Sequence, residues 1–268
     1  MRKLEEELAP MPWLNEIVNG DCLELMKELP DKSVDLILCD LPYGTTQNKW
    51  DSIIPLDLLW VQYERIIKDN GAIVLFAQTP FDKVLGVSNL KLLKYEWIWN
   101  KRLATGHMNA KKMPMKLHEN ILVFYKKLPT YNPQWWYSTP YNKGDKITLD
   151  VSTNYGKQKP RQRPKSADGR RYPLSVIEIT NADRRGKWHP TQKPVDIYEY
   201  LIKTYTNEGE LVLDNCSGAG TCAIASVNTN RNFICMEQNP EYHEKSVERL
   251  EKHKEEGERE KNNLVPHK

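Results

Sequence analysis

Nowhere in the 268 residues does an apolar run approach the roughly 20 residues that a membrane helix requires, so no membrane association is expected. The first residues, MRKLEEELAPMPW, are acidic and lack the apolar stretch of a secretory signal. The expected compartment is therefore the cytoplasm. Cysteine is sparse. Cys22, Cys39, Cys216, Cys222 and Cys235 are odd in number and form neither a Cys-x-x-Cys pair nor a Cys/His cluster. That pattern argues against a zinc site and for reduced thiols that pack as small hydrophobes. No metal is expected. The net charge of +3 is too small to require a nucleic-acid partner by itself, and no internal repeat is present.

What is present alternates between two periodicities. Val34–Cys39 is apolar at nearly every position, as in a central parallel strand covered on both faces. AIVLFAQ reads the same way, and NEIVN, KYEWIWNK, ENILVFYKK, ELVLDN and NFICMEQ read as further strands. KYEWIWNK and ENILVFYKK suit a mutual pairing. Between them lie helical patterns: CLELMKELP, PLDLLWVQYERIIKDNG with Gly71 as its stop, PFDKVLGVSNL, KPVDIYEYLIKTYT and a charged C-terminal helix from about Glu241. The succession predicts an α/β fold with a doubly wound, mostly parallel Rossmann-like sheet. Between about Leu128 and Arg185 the apolar periodicity fades and Pro, Tyr, Trp, Asn, Lys and Arg dominate, which marks an insertion.

Two places carry candidate chemistry. The Val34–Cys39 strand runs into Asp40-Leu41-Pro42-Tyr43-Gly44. In open α/β sheets ligands bind beyond the carboxyl ends of the strands, where Asp40 is expected; an acid capping a proline-stiffened turn is the plainer alternative. Later, LVLDNCSGAGT is a strand, an acid and a Gly218-x-Gly220 turn opening a helix, with Ala223 at the third position of the dinucleotide fingerprint. Such glycines let the main chain approach a ligand, although helix packing explains them too. The following strand ends in Glu237, placed to accept hydrogen bonds from a ribose diol. Enzymes of NAD and of S-adenosylmethionine both use that device.

Order separates the two. A dehydrogenase would begin with the glycine turn, whereas here it follows a half-sheet bearing DLPY. That arrangement resembles the DNA amino-methyltransferases of the β class, from about Asn15 to Glu248. DLPY is similar to the D-P-P-Y of that family, and HENILVFYK to its late-strand motif. HPTQKP resembles the segment before the cofactor turn, and LDNCSGAGT the family's L-D-P-F-x-G-x-G-T. Leu41 stands where the family has its first proline, and Cys216 where it usually has phenylalanine; the second departure bears on how the methionine side of the cofactor is packed.

The resemblance implies S-adenosyl-L-methionine as cofactor and transfer of a methyl group to the exocyclic N6 of a flipped adenine. The leading aspartate favours adenine over cytosine N4 by family association. It implies that Asp40 and a backbone carbonyl of Leu41 or Pro42 accept the two amino hydrogens, while Tyr43 stacks on the base. It assigns Asp21 to the adenine of the cofactor and Glu237 to the ribose. Asp214, Gly218, Gly220 and Thr221 frame the methionine portion, with His189, Thr191 and Lys193 in the segment that closes over it.

The domain reading is a catalytic half at 1–128, an inserted target-recognition region at 129–185, and a cofactor half with the C-terminal helix at 186–268. From Gly156 to Arg171 seven basic residues face one acid. Lys157, Lys159, Arg161, Arg163 and Lys165 are the candidate phosphate contacts on double-stranded DNA. Lys101, Arg102, Lys111, Lys112 and Lys116 would extend the same track. Trp135, Trp136 and Tyr137 are read first as core of a small subdomain and second as a surface for DNA. A homodimer and a cognate restriction endonuclease are further partners that the resemblance allows. Methylation of protein glutamine or of an RNA base, and a non-catalytic DNA-binding relative, remain the rival readings.

Overall fold

The computed structural model describes residues 11–44, 52–142, 147–148, 161–162, 165–181 and 192–263. Two compact units are present, one formed by 1–132 with 175–268 and the other by Pro133–Leu174.

The larger unit is built on one sheet of eight strands. In chain order they are β1 (Glu16–Asn19), β2 (Val34–Asp40), β3 (Ile67–Ala77), β4 (Leu93–Thr105), β5 (Lys116–Phe124), β12 (Val176–Glu178), β13 (Leu211–Asp214) and β14 (Asn232–Glu237). Their spatial order is β1-β14-β13-β2-β3-β5-β4-β12. Every neighbouring pair is parallel except the two that involve β5. The helices are α1 (Cys22–Leu25), α2 (Leu56–Ile66), α3 (Phe81–Ser88), α4 (Val195–Tyr205), α5 (Thr221–Asn228) and α6 (Pro240–Asn263). This is the doubly wound, mostly parallel sheet that the alternating periodicities foretold. Among the described residues no helix is long and apolar enough to cross a membrane.

Strand periodicity explains why the central strands are apolar throughout. On β2, Ile37 and Cys39 point into one apolar cluster while Leu36 and Leu38 point into the other. The same division splits Ile73 and Leu75 from Val74 and Phe76 on β3, and Leu213 from Val212 on β13. Leu59, Tyr63 and Ile66 of α2 cover the first face, and Tyr198, Leu201 and Ile202 of α4 cover the second. Each fully buried side chain of this kind stabilises by about 1.5–3 kcal/mol relative to exposure. Asp35, the acid within β2, is satisfied by the Lys68 ammonium at 2.8 Å and by the Leu211 N–H at 3.0 Å.

The helix expected to run to Gly71 stops five residues earlier. β3 begins at Ile67, and its pairing with β2 shifts register between Val34 and Leu36. Gly71 is no helix stop: a Cβ there would lie 2.7 Å from Ile67 Cδ1 and 2.8 Å from the Asp35 carbonyl. The absent side chain admits this close approach. Ladder pairing with β2 decided against extending the amphipathic helical pattern through IIKDN.

Within the Pro133–Leu174 unit, three two-stranded antiparallel ladders are described. They pair β6 (Trp136–Tyr137) with β11 (Arg170–Arg171), β7 (Tyr141–Asn142) with β10 (Lys165–Ser166), and β8 (Ile147–Thr148) with β9 (Arg161–Gln162). The tryptophans are not core, contrary to the first expectation. Trp135, Trp136 and Tyr137 are 38%, 43% and 69% exposed. Two-residue strands supply too little apolar area to enclose them. Trp135 instead packs on Tyr172 with ring centroids 4.4 Å apart, and the Arg170 guanidinium lies over its ring at 5.4 Å.

Candidate active site

The strand order reverses between β13 and β2, so the connections leave their carboxyl ends in opposite directions and open a crevice. A cavity of about 780 Å³ occupies that edge, within the usual size range of a ligand site. Its walls come from the loops that follow β1 (Asp21), β2 (Asp40 to Tyr43), β13 (Cys216 to Ala219) and β14 (Gln238, Asn239). β5 contributes as well. Because it runs antiparallel, its early residue Glu119, paired with Trp99, falls at the same edge as the carboxyl ends of its neighbours.

At the β2 end, Asp40 Oδ1 accepts the Tyr43 hydroxyl at 2.6 Å and Oδ2 accepts the Lys193 ammonium at 2.5 Å. Tyr43 stacks on Phe81 with centroids 5.3 Å apart. The Leu41 side chain is buried in the apolar core, so the leucine that replaces a family proline is accommodated by packing. Lys193 Nζ also lies 3.3 Å from Glu119 Oε2, and Lys101 Nζ lies 3.1 Å from Glu119 Oε1. Burial raises the Asp40 carboxyl above the ordinary carboxylate range; Lys193 pulls it down and Glu119 adds to the rise. Burial acts on Glu119 too, but Lys193 and Lys101 outweigh it and hold that carboxyl below its usual range. Lys193, in spite of burial, is raised by its two carboxylates and stays charged.

At the β13 and β14 ends, Glu237 accepts the Gly218 N–H on one oxygen and the Asn239 N–H on the other, each at 2.8 Å. Burial raises its carboxyl, and these N–H groups oppose the rise. Gly218 and Gly220 both take positive φ, 49° and 70°. Gly218 lines the cavity, whereas a Cβ on Gly220 would meet Ser246 at 3.1 Å and Ile17 at 3.2 Å. Gly220 thus serves close packing. Asp214 is 1% exposed, accepts the Cys216 N–H at 3.1 Å and is pushed by burial to about 7. Asp21 accepts the Leu23 N–H at 2.8 Å and caps α1. Tyr63 donates to Asn215 Oδ1 at 2.5 Å, fixing the residue beside Cys216.

Of the residues singled out from sequence, Asp21, Asp40, Leu41, Pro42, Tyr43, Lys193, Gly218, Thr221 and Glu237 border this one cavity. Asp214 and Gly220 support the turn from beneath. His189, Thr191, Lys157, Lys159 and Arg163 lie outside the described residues. Arg161 falls in β9, and Lys165 is exposed in β10. Lys101 does not extend a DNA-facing track: it is 4% exposed and bound to Glu119. Glu119 itself was missed. Its signal was an acid two positions ahead of the four apolar residues ILVF in HENILVF, a position that a buried strand tolerates only for a paired charge.

A sheet reversing beside a glycine turn, with acids at three strand tips, is an open α/β fold with a ligand crevice at its switch point. A family model described as DNA methylase, of N6 and N4 type, matches residues 34–248, and the chain belongs to that family. It is similar to the type II methyltransferase M1.MboII of Moraxella bovis, 30% identical over 248 residues that cover 85% of this chain and 94% of that one. It is also similar to the DNA adenine methyltransferase YhdJ of Escherichia coli K12, 26% identical over 88% of this chain and 82% of that one. Among solved structures, the M1.HpyAVI–SAM complex has a TM-score of 0.58 at 24% identity, covering 87% of this chain and 98% of its own. The cytosine-N4-specific PvuII DNA methyltransferase has 0.59 at 17% identity, covering 87% and 84%. At those identities the two structures speak for the fold.

Proposed function

We propose that the chain transfers a methyl group from S-adenosyl-L-methionine to the N6 of an adenine swung out of duplex DNA. The observation that carries this reading is the shared cavity: the Asp40–Tyr43 turn and the Glu237–Gly218 turn face one space. The cofactor would supply an electrophilic sulfonium methyl. The residues present suit its nucleoside, because each Glu237 oxygen has one N–H partner and keeps a lone-pair direction for a ribose hydroxyl. Asp21 meets the adenine of the cofactor, and Gly218 and Thr221 the methionine portion, above the supports Asp214 and Gly220. Thr191 and His189 are further proposed cofactor contacts, by the family resemblance.

An exocyclic amino group is a poor nucleophile because its lone pair is delocalised into the ring. Asp40 accepts one N–H, and the Leu41 or Pro42 carbonyl accepts the other, which localises the pair on nitrogen. Tyr43 supplies a stacking surface for the extruded base. The nitrogen gains a carbon and must shed a proton. Asp40, weakened as an acid by burial, takes it. Lys157, Lys159, Arg161, Arg163 and Lys165 contact phosphates of the duplex, and a restriction endonuclease of the same specificity is the partner in the cell.

Incubation with radiolabelled S-adenosylmethionine and unmethylated bacterial DNA, followed by hydrolysis to nucleosides, tests the proposal. Label in N6-methyladenine is expected, and Asp40→Ala should lower it by about 100- to 1,000-fold, the scale of removing one oriented hydrogen-bonding group. Label in N4-methylcytosine would overturn the choice of base. Label in protein or RNA alone would overturn the substrate.

A further inference from the structure

Four charged side chains from four separate segments, Asp40 among them, meet in one row. Lys193 precedes α4, Glu119 lies on β5 and Lys101 on β4, and they form the row Asp40–Lys193–Glu119–Lys101 with contacts of 2.5, 3.3 and 3.1 Å. The two lysines are 8% and 4% exposed. Lys193 also lies over the Phe76 ring at 5.0 Å and the Tyr43 ring at 5.8 Å. A buried ammonium is costly unless compensated, and here the charges balance, two positive against two negative.

We infer that Lys193 and Glu119 are positioning residues for the methyl transfer: Lys193 keeps the Asp40 carboxylate ionised so that it accepts rather than donates a hydrogen bond, and Glu119, by sharing that ammonium, limits how far it does so. This rests on the proposed role of Asp40. A protonated acid would present an O–H to the amino group and lose the acceptor that localises the lone pair. In this enclosed site burial favours that unwanted form, and Lys193 is the group that opposes it. Glu119 has the opposite effect on Asp40. It shares the ammonium, adds negative charge and holds Lys193 between the two carboxylates, leaving Asp40 a stronger base than a dedicated ion pair would.

Around Asp40 stand Tyr43 and Cys39 from its own segment, Lys193 and Tyr198 from α4 and the residues before it, Glu119 from β5 and Asp214 from β13. Among these, Lys193 is the positive charge and Glu119 the acid that shares it. The two substitutions therefore move the acid limb of activity in opposite directions, a pattern that loss of structure does not produce.

The test is the single-turnover methylation rate against pH, with enzyme in excess over unmethylated bacterial DNA and saturating S-adenosylmethionine. Lys193→Met should shift the acid limb upward by about one unit or more, the scale of removing an opposite charge at this distance. Lys193→Arg should restore the limb in large part. Glu119→Gln should shift it downward by about half a unit, since one negative neighbour is removed. Circular-dichroism melts and S-adenosylmethionine calorimetry accompany each variant. Limbs that stay at the wild-type pH, with rates lowered uniformly, overturn the inference. So does a roughly tenfold loss of cofactor affinity in Lys193→Met with an unmoved limb, which would return that side chain to the cofactor. If Lys193→Met does not fold, Glu119→Gln decides alone: a lowered limb supports the inference and an unmoved one overturns it. Asp40→Ala distinguishes the two levels. Activity retained there removes the role of Asp40 itself, whereas activity lost there with unmoved limbs removes only the inference.

Discussion

Glu237→Gln exchanges one oxygen of a carboxylate for an amide nitrogen while keeping length and shape. In the wild type each oxygen already receives one backbone N–H at 2.8 Å, from Gly218 and from Asn239. A carboxylate has about four lone-pair directions, so two remain for the hydroxyls of a ribose. The glutamine NH2 accepts nothing. Whichever way the amide turns, one backbone N–H faces another donor and one ribose hydroxyl is left without its acceptor. Hydrogen bonds to a charged partner contribute roughly 1.5–3 kcal/mol each, so S-adenosylmethionine should bind about 10- to 100-fold more weakly. Isothermal calorimetry measures this directly, with a thermal melt to confirm the fold. A cofactor analogue lacking a ribose hydroxyl should already be weakened in the wild type and suffer less from the substitution, because the same hydrogen bond cannot be removed twice. Equal weakening for both ligands, or unchanged affinity in a folded variant, would refute the placement of the ribose at Glu237.

Two further outcomes are open to measurement. Asp214 is pushed by burial to about 7, above its unfolded value of about 3.9. The folded state therefore holds a proton that the unfolded state releases, and stability contributed this way is lost as pH rises from about 4 to 7. Asp214→Asn keeps an acceptor for the Cys216 N–H without the charge, so the variant should gain melting temperature over wild type at pH 8 relative to pH 5; a pH-independent difference would contradict the raised carboxyl. Alanine at Lys157, Lys159, Arg161, Arg163 and Lys165 together should reduce the salt dependence of duplex binding, by close to one unit of slope for each phosphate no longer neutralised, without altering cofactor affinity. An unchanged slope would show that the phosphates are met elsewhere on the protein.

The sequence by itself determined the sheet and the tips of its strands. Runs such as LILC and AIVLF are apolar on both faces because helices cover both, and an acid that ends such a run can only emerge at an edge. Asp40, Glu237 and the Gly218 turn were legible for that reason: their placement follows from local periodicity. Gly71 was misread because the rivalry between helix and strand there was settled by pairing with β2, a partner distant in the chain. Exposure of Trp135 and Trp136 was equally hidden, since composition does not reveal whether aromatic residues find enough neighbours to be enclosed. The charge row behind Asp40 belongs wholly to the tertiary structure. Lys193 and Asp40 are 153 positions apart, and nothing in HPTQKP or DLPY states that one ammonium will be shared with Glu119. Strand patterns repeat every two residues and can be read locally. An ion pair across a sheet edge exists only after the chain has closed, when desolvation makes each buried charge depend on the partners that tertiary packing brings to it.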